Sequence, residues 1–201
     1  MFDRRVLEAS RGLLGALAGR LVVLGLKPDQ VSWFGFLLGI CAVPLIATLH
    51  PAWALPFILA NRLADGVDGA MARRVGASDR GAFLDISLDF LFYSSIPLAF
   101  AIADPAANAL AAAVLIYAFV GTGSTFLAFA IIAAKRGMAS TAYPGKGFYY
   151  LGGLTEATET IAVFAAMCLF PGWFAPLAYA FAALCGLTTI TRIAAGLGLF
   201  R

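Results

Sequence analysis

Six mostly apolar segments, separated by short loops, fill most of this 201-residue chain. They lie at about 31–49, 53–73, 82–103, 108–134, 147–170 and 173–199. A helix that crosses a bilayer needs about 20 apolar residues, so each segment is a candidate span. Hydrophobic residues make up 62% of the chain and charged residues only 12%, about half the charged share of soluble domains. We therefore predict an all-α polytopic membrane protein with six transmembrane helices, forming a single membrane domain over residues 1–201.

The basic residues predict the orientation of this bundle. Lysine and arginine occur before the first segment, between the second and third, between the fourth and fifth, and at the end of the chain. The loops around His50, Asp104 and Pro171 contain neither residue. Because positive charge is retained on the cytoplasmic side, both termini should lie in the cytoplasm. The expected location is the plasma membrane, or the inner membrane of a bacterium.

Residues 1–27 precede the first span and have a different pattern. One helical stripe holds the apolar side chains Val6, Leu7, Leu13, Leu14, Leu17, Leu21 and Leu24, and charged residues lie largely away from it. This pattern predicts an amphipathic helix on the inner membrane surface. The same stripe could instead pack against the spans. Pro28 then fits the first turn of the next helix.

Two function classes find no support in the composition. The net charge is only +3 and follows the membrane topology, so a nucleic-acid partner is not expected. Cys41, Cys168 and Cys185 occur singly in apolar segments, without the paired spacing of a zinc site or a disulfide framework.

Four aspartates lie where the second and third segments meet. Asp65 and Asp68 are three residues apart, and Asp85 and Asp89 are four apart. Each spacing puts a pair on one helical face, and a short linker makes the two helices antiparallel neighbours. Four converging carboxylates near hydrocarbon repel one another, and two divalent cations would neutralise them. Oxygen ligands favour Mg²⁺, Mn²⁺ or Ca²⁺.

The alternative is that nearby arginines pair with these carboxylates. Candidates are Arg62, Arg73, Arg74 and Arg80. Asp79 falls outside the spacing and is expected to be a solvated charge.

Small residues and an arginine surround the acidic pairs. Gly69 and Gly81 would allow a ligand to approach the backbone closely, and Ala72 is also small. Arg73 offers a fork of donors suited to phosphate. Together with metal ions, these residues predict a site for a phosphate-bearing ligand, at which displacement at phosphorus would be favoured.

At these positions the chain resembles the CDP-alcohol phosphatidyltransferases, whose signature it fills throughout: Asp65-x2-Asp68-Gly69-x2-Ala72-Arg73-x7-Gly81-x3-Asp85-x3-Asp89. The segment "GLKPDQVS" is similar to the Pro-Asn segment of the family, with Asp29 in place of asparagine and its capping role expected to persist. The resemblance also covers the coarse architecture of an N-terminal helix followed by six spans.

The resemblance implies a role for each signature residue. Asp65, Asp68 and Asp85 would hold two divalent cations, and Asp89 would complete the metal site and act as the general base. Gly69, Ala72, Arg73 and Gly81 would shape the CDP site, to which Asp65 and Asp68 also belong. The donor would be a CDP-linked lipid, usually CDP-diacylglycerol, and CMP would be released. The family also tends to form homodimers.

Asn61 lies one helical turn before Asp65. It could contact the nucleotide or orient Asp65, and helix packing is the alternative.

The acceptor alcohol stays open at this point. The resemblance implies that an acceptor phosphate, as in glycerol phosphate or inositol phosphate, would be bound by basic residues such as Lys135, Arg136, Lys146 and Arg192. Glu156 and Glu159, expected inside the fifth span, suit a cationic amino alcohol or a neutral polyol. A buried network that pairs Arg192 with a glutamate is a third possibility. Lys135, Arg136 and Lys146, which lie between the fourth and fifth segments, could instead only mark the cytoplasmic side of the membrane.

Other functions compatible with the sequence are transfer of a CDP-linked headgroup to a lipid hydroxyl, cation transport, and a non-catalytic scaffold. Acids inside the membrane also mark ion pathways. Here, however, the four aspartates gather at one membrane face, whereas a conduit would spread polar groups across the bilayer.

Overall fold

The computed structural model describes residues 2–138 and 155–200, with side chains from residue 11 onward in those ranges. Within them the chain is helical and has no strand, which confirms the all-α prediction. The helices are α1 (Phe2–Val23), α2 (Pro28–Ile40), α3 (Ala42–Ala47), α4 (Pro51–Val75), α5 (Asp79–Ala103), α6 (Pro105–Lys135), α7 (Ala157–Leu169) and α8 (Phe174–Leu199). A single 3₁₀ turn, Pro171–Trp173, precedes α8.

Four helical segments of the described residues are long and apolar enough to cross a membrane. They are Pro28–Ala47, Asp79–Ala103, Pro105–Lys135 and Pro171–Leu199. Helix α4 has 25 residues but carries several charges, and α7 has only 13 described residues. The six-span count therefore stays a prediction at α4 and α7.

The first of these segments is broken in its middle, where α2 ends at Ile40 and α3 begins at Ala42. Pro44 explains the break, because a proline has no N–H to donate to the carbonyl one turn earlier and its ring crowds that carbonyl. The sequence predicted one continuous span here, and the structure shows two helices in a row.

The main core joins α3, α4, α5, α6, α7 and α8 through apolar side chains. Phe92, Phe164, Phe174 and Ile96 are fully buried in it. The rings of Phe100 and Phe174 stack with centroids 4.5 Å apart. This core lies beyond the four aspartates along α5, away from the α4–α5 turn.

A turn of three residues reverses the chain between α4 and α5. Gly76 ends α4 with φ of 103°, a conformation that side chains disfavour. Ser78 caps α5, because its Oγ accepts a hydrogen bond from the Gly81 N–H at 3.1 Å. The two acidic helices are therefore antiparallel, as predicted.

Helix α2 packs against both acidic helices. A Cβ added at Gly35 would lie 2.5 Å from the Ala64 Cβ, and one at Gly39 would lie 2.8 Å from the Phe92 ring. Both glycines are buried. Helices α4 and α5 make few close backbone contacts with each other, and each packs on α2 and α3 instead. The space left between α4 and α5 is where the aspartates face one another.

Helix α1 packs on α4, which is the alternative that the sequence left open. Leu14 and Ala18 are buried against Val67, Ala70 and Met71. The predicted stripe is only partly correct, because Leu13 is 63% exposed and Leu24 is 74% exposed. The location of α1 on the membrane surface stays a prediction.

Candidate metal and phosphate site

Three of the four aspartates form a compact carboxylate cluster. Asp65, Asp68 and Asp85 each offer one oxygen, and these oxygens lie within 4.8 Å of one another. Asp68 is buried, Asp65 is half-buried and Asp85 is exposed. The cluster therefore opens at the end of the bundle where the α4–α5 turn lies.

The fourth aspartate, Asp89, faces the same small pocket. The pocket is lined by Ser32, Gly35, Phe36, Asn61, Asp65, Asp68, Asp85, Leu88 and Asp89. Helices α2, α4 and α5 all contribute to it. The convergence that the spacing predicted is therefore present in the fold, although α4 and α5 are held apart by α2 rather than packed directly on each other.

Ser32 of α2 orients one of these carboxylates. Its Oγ donates a short hydrogen bond to Asp68 Oδ2 and also contacts the Pro28 carbonyl oxygen at 3.2 Å. The sequence analysis missed Ser32. A single serine in an apolar helix gives no signal by itself, although its position one turn after Pro28 places it at the same end of the bundle as the aspartates.

Asn61 ties α4 to α2. Its Nδ2 donates a hydrogen bond of 3.1 Å to the Gly35 carbonyl oxygen, and the side chain is buried. This contact is the helix-packing alternative. Asn61 also lines the pocket, so a contact with the ligand stays a prediction.

The arginines divide between the site and its surroundings. Arg62 forms an ion pair with Asp65, so the salt-bridge alternative holds at this aspartate. Arg80 Nε lies 3.1 Å from Asp29 Oδ2, and Arg74 Nη2 donates to the Gly15 carbonyl oxygen at 2.9 Å. Arg74 and Arg80 thus serve contacts between helices.

The expected capping role of Asp29 is wrong. Lys27 is the N-cap of α2, and its backbone N–H is capped in turn by Gln30 Oε1 at 2.9 Å. Asp29 lies in the first turn, where its carboxylate pairs with Arg80. Pro28 occupies the first turn of α2, as predicted.

The predicted phosphate-binding residues lie toward the α4–α5 turn, at the same end of the bundle as the cluster. Ala72 and Arg73 lie on the last turn of α4, with Arg73 exposed. A Cβ at Gly69 would come within 3.5 Å of Arg73 Nη1, so the guanidinium lies across this glycine. Gly81 lies in the first turn of α5, where a Cβ would be 3.2 Å from Ser78 Oγ.

The predicted acceptor-binding residues come from α6, α7 and α8 and from the segment between α6 and α7, and their role stays a prediction. Lys135 is exposed at the end of α6. Arg136 donates to the carbonyl oxygens of Leu199 at 3.3 Å and Phe200 at 2.7 Å, which fastens the end of α6 to the end of α8. Lys146 lies outside the described residues.

Glu156 and Glu159 stand at the beginning of α7 rather than within a helix that starts near residue 147. Glu156 is the N-cap residue, and its N–H donates to Glu159 Oε2 at 3.2 Å. Residues 155 and 156 are not helical, so α7 does not continue back through them, and the predicted depth of these acids relative to Lys146 stays a prediction because residues 139–154 lie outside the described residues.

Arg192 is buried on α8, as expected for an arginine that does not face lipid. Its Nη1 donates to the Thr122 carbonyl oxygen of α6 at 3.0 Å, and its guanidinium lies 5.5 Å from the Phe126 ring centroid. One turn earlier on α8, the hydroxyl of Thr188 lies 3.1 Å from that of Thr155. These residues form a polar patch between α6, α8 and the beginning of α7.

The donor set of the cluster fits hard divalent cations. Carboxylate oxygens are the ligands that Mg²⁺, Mn²⁺ and Ca²⁺ prefer, and three of them already lie within bridging distance. A second shell is present as well, because Ser32 and Arg62 each contact one of the carboxylates. A bound phosphate would add the remaining ligands.

Comparison with known proteins agrees with this geometry. The family model described as CDP-alcohol phosphatidyltransferase matches residues 26–194. The chain belongs to this family. It is therefore an enzyme of phosphatidyl transfer in phospholipid synthesis, and its apolar helices make it a membrane protein.

Two curated relatives give the range of similarity. Inner membrane protein YnjF of Escherichia coli (strain K12) is 50% identical over 196 residues, which cover 98% of this chain and 95% of YnjF. The phosphatidylinositol phosphate synthase of Mycobacteroides abscessus is 30% identical over 174 residues, which cover 83% of this chain and 73% of that enzyme.

Solved structures share the fold. The Mycobacterium tuberculosis phosphatidylinositol phosphate synthase PgsA1 with CDP-DAG bound has a TM-score of 0.66 at 22% identity, covering 90% of this chain and 92% of that one. The same enzyme in complex with manganese and citrate has a TM-score of 0.71 at 20% identity, covering 90% and 87%.

Proposed function

We propose that this enzyme transfers a phosphatidyl group from a CDP-linked lipid, CDP-diacylglycerol in the first instance, to a small alcohol and releases CMP. Asp65, Asp68, Asp85 and Asp89 hold two divalent cations, Mg²⁺ or Mn²⁺. The observation that carries this proposal is the approach of three carboxylate oxygens to within 4.8 Å at one end of an apolar bundle.

Relatives support this choice of donor and metal. One solved structure with the same fold contains CDP-DAG, and another contains manganese. The chain fills every position of the family signature, so its site has the residues that such ligands would require.

Each of the remaining signature residues binds a different part of the donor. Arg73 binds the diphosphate of the donor, and Gly69, which has no side chain, lets the diphosphate come close to the backbone. Ala72 and Gly81 are small and leave room for CDP. Asn61 of α4 lines the same pocket and contacts the nucleotide from there.

Asp89 acts as the general base. It accepts the proton of the acceptor hydroxyl, whose oxygen forms a bond to the lipid-side phosphorus while the bond from that phosphorus to the CMP oxygen breaks. When bound, the divalent cations stabilise the charge that develops on the phosphate oxygens. Proton removal by a positioned carboxylate contributes about 10²–10⁴-fold to the rate.

The acceptor is a small alcohol, and its class depends on the predicted acceptor-binding residues. Arg192, Lys135 and Lys146 favour a phosphorylated alcohol, whereas Glu156 and Glu159 favour an amino alcohol or a polyol. In the structure Glu159 caps α7 and Arg192 binds the Thr122 carbonyl. We further propose that the enzyme is a homodimer of the inner membrane, with its active site on the cytoplasmic side.

Release of CMP from labelled CDP-diacylglycerol tests the proposal. The purified enzyme is assayed with Mg²⁺ or Mn²⁺ and a panel of glycerol phosphate, inositol phosphate, ethanolamine, serine and inositol. We expect metal-dependent CMP release with one class of acceptor and loss of release on chelation. Release of CMP from CDP-choline or CDP-ethanolamine with diacylglycerol, and none from CDP-diacylglycerol, would contradict the proposed donor.

Asp89→Asn tests the assignment of the base. The substitution keeps the shape of the side chain and removes its ability to accept the proton, so we expect kcat to fall by about 10²-fold or more. Size-exclusion chromatography in detergent checks that the variant stays folded. A folded variant with nearly wild-type turnover would show that another group takes the proton.

A further inference from the structure

Arg62 lies beside the carboxylate cluster, on the side away from the α4–α5 turn. It precedes Asp65 by one helical turn on α4, and its guanidinium forms an ion pair with that aspartate. The side chain is 29% exposed, so most of it is removed from solvent. Arg62 is not part of the family signature that the chain fills.

The same guanidinium reaches across to the other acidic helix. Its Nη1 donates to the hydroxyl of Tyr93 at 3.4 Å. Tyr93 follows Asp89 by one helical turn on α5, so both residues lie on one face of that helix. Arg62 therefore contacts both acidic helices, through the candidate metal ligand Asp65 on α4 and through Tyr93 on α5.

Tyr93 is itself held by the aromatic core. Its ring centroid lies 6.5 Å from that of Phe119 on α6 and 6.3 Å from that of Phe164 on α7. Phe164 is fully buried. A ring with neighbours on two other helices has little freedom, so its hydroxyl provides Arg62 with a fixed partner.

We infer that Arg62, held by Tyr93, is a positioning residue for the metal ligand Asp65. This inference rests on the proposed metal site. A carboxylate has two oxygens and about four lone-pair positions, so a contact with Arg62 leaves acceptor sites for a cation. Groups that orient metal ligands from the second shell typically change metal affinity by about 10–100-fold.

The contact matters because α4 and α5 have few close contacts of their own. The ligands on the two helices must keep a fixed separation to bind cations together. The path from the core through Tyr93 and Arg62 to Asp65 sets the position of the α4 ligand relative to α5. Ser32 provides the corresponding restraint on Asp68 from α2.

Binding of Mn²⁺ to the purified full-length chain, measured by the EPR signal of free Mn²⁺, tests this role apart from activity. For Arg62→Met we expect the Kd for Mn²⁺ to rise by about tenfold. Arg62→Lys should recover part of the affinity, because it keeps the charge but lacks the planar fork that contacts two partners. Tyr93→Phe keeps the ring and loses only the hydroxyl, so its Kd should rise less.

Arg74→Met is the matched control, because this arginine of the same helix contacts α1 instead. Its Kd for Mn²⁺ should equal that of the wild type. An unchanged Kd in Arg62→Met with a lowered melting temperature would reduce Arg62 to a structural role, and a lower Kd would show that it competes with the cation. Absence of Mn²⁺ binding in the wild type would instead overturn the proposed metal site.

Discussion

At the scale of single residues, the site is a set of carboxylates whose orientation is fixed by neighbours. Asp68 receives a hydrogen bond from Ser32, and Asp65 pairs with Arg62. Acidic side chains at the correct spacing would otherwise rotate among several rotamers. The outer partners lower that freedom, which favours binding of cations in one geometry.

Ser32→Ala should weaken metal binding because it removes the donor that orients Asp68. We expect the Kd for Mn²⁺ to rise by roughly tenfold, at the lower end of second-shell effects. Isothermal titration with Mn²⁺ measures the change. Ser87→Ala is a suitable control, since the Ser87 hydroxyl donates only to the Phe83 carbonyl of its own helix at 2.7 Å. Equal affinities in the two variants would refute the orienting role.

The sequence predicts the acidic residues of the site but not their partners. Spacing of three and four residues placed Asp65, Asp68, Asp85 and Asp89 on facing sides of two helices, and the fold brings them to one pocket. The role of Ser32 was not predicted, because Ser32 belongs to α2. The packing of α2 against α4 depends on glycines, which the sequence pattern does not reveal as contact positions. Arg62 was visible only as one of several candidate counter-ions.

At the scale of helices, α2 is the element that builds the pocket. It packs against α4 and α5 and thereby sets the width of the space between them. Gly35 permits the approach to α4, and the Asn61 amide fastens the two helices at the same level. Helix α2 also carries Ser32, so its position affects the site directly.

Gly35→Ala should therefore destabilise the bundle and impair the site together. The added Cβ would lie 2.5 Å from the Ala64 Cβ, and neither group can move without its backbone. Overpacking of this kind costs about 1–3 kcal/mol, or a loss in Tm of roughly 2–12 °C at this chain length. Thermal unfolding in detergent measures it.

Gly186→Ala provides the comparison, because a Cβ on this glycine of α8 meets no atom within 4 Å. Its Tm should equal or slightly exceed that of the wild type, since alanine favours helix. Equal Tm values for the two variants would show that α2 does not depend on close approach at Gly35.

The helices themselves were predicted more accurately than their ends. Apolar length located α5, α6 and α8 to within a few residues. The errors fall where a local interaction overrides the apolar pattern. Pro44 divides the first span, and the Glu156–Glu159 cap begins α7 at Ala157, inside the segment that was predicted as one span. A hydropathy pattern does not show where a helix is capped at its N-terminus.

At the scale of the whole molecule, two of the three tryptophans lie at the end of the bundle opposite the carboxylates, while Trp33 lies on α2 beside Ser32. Trp53 begins α4 and Trp173 precedes α8, and they are 70% and 66% exposed. Both lie near the ends of their helices that are remote from the aspartates. Aromatic side chains collect at both membrane interfaces, so Trp53 and Trp173 indicate an interface at this end without showing which side of the membrane it faces.

Cysteine labelling tests this orientation. With Cys41 replaced by alanine, His50→Cys should react with a membrane-impermeant maleimide in intact spheroplasts, because the predicted orientation places its turn on the outer side. Ala77→Cys, in the α4–α5 turn, should react only in inverted vesicles. Both residues are exposed, so access depends on the side of the membrane. The reverse pattern would place the aspartates on the outer face.

The proposed function depends on the four aspartates holding two metal ions. The most direct measurement is the Mn²⁺ content of the purified chain after equilibrium dialysis, determined with and without CDP-diacylglycerol. We predict two Mn²⁺ per wild-type chain in the presence of the donor and a marked loss in Asp85→Asn. A wild-type chain without bound Mn²⁺, or an Asp85→Asn variant with the full complement, would contradict the account.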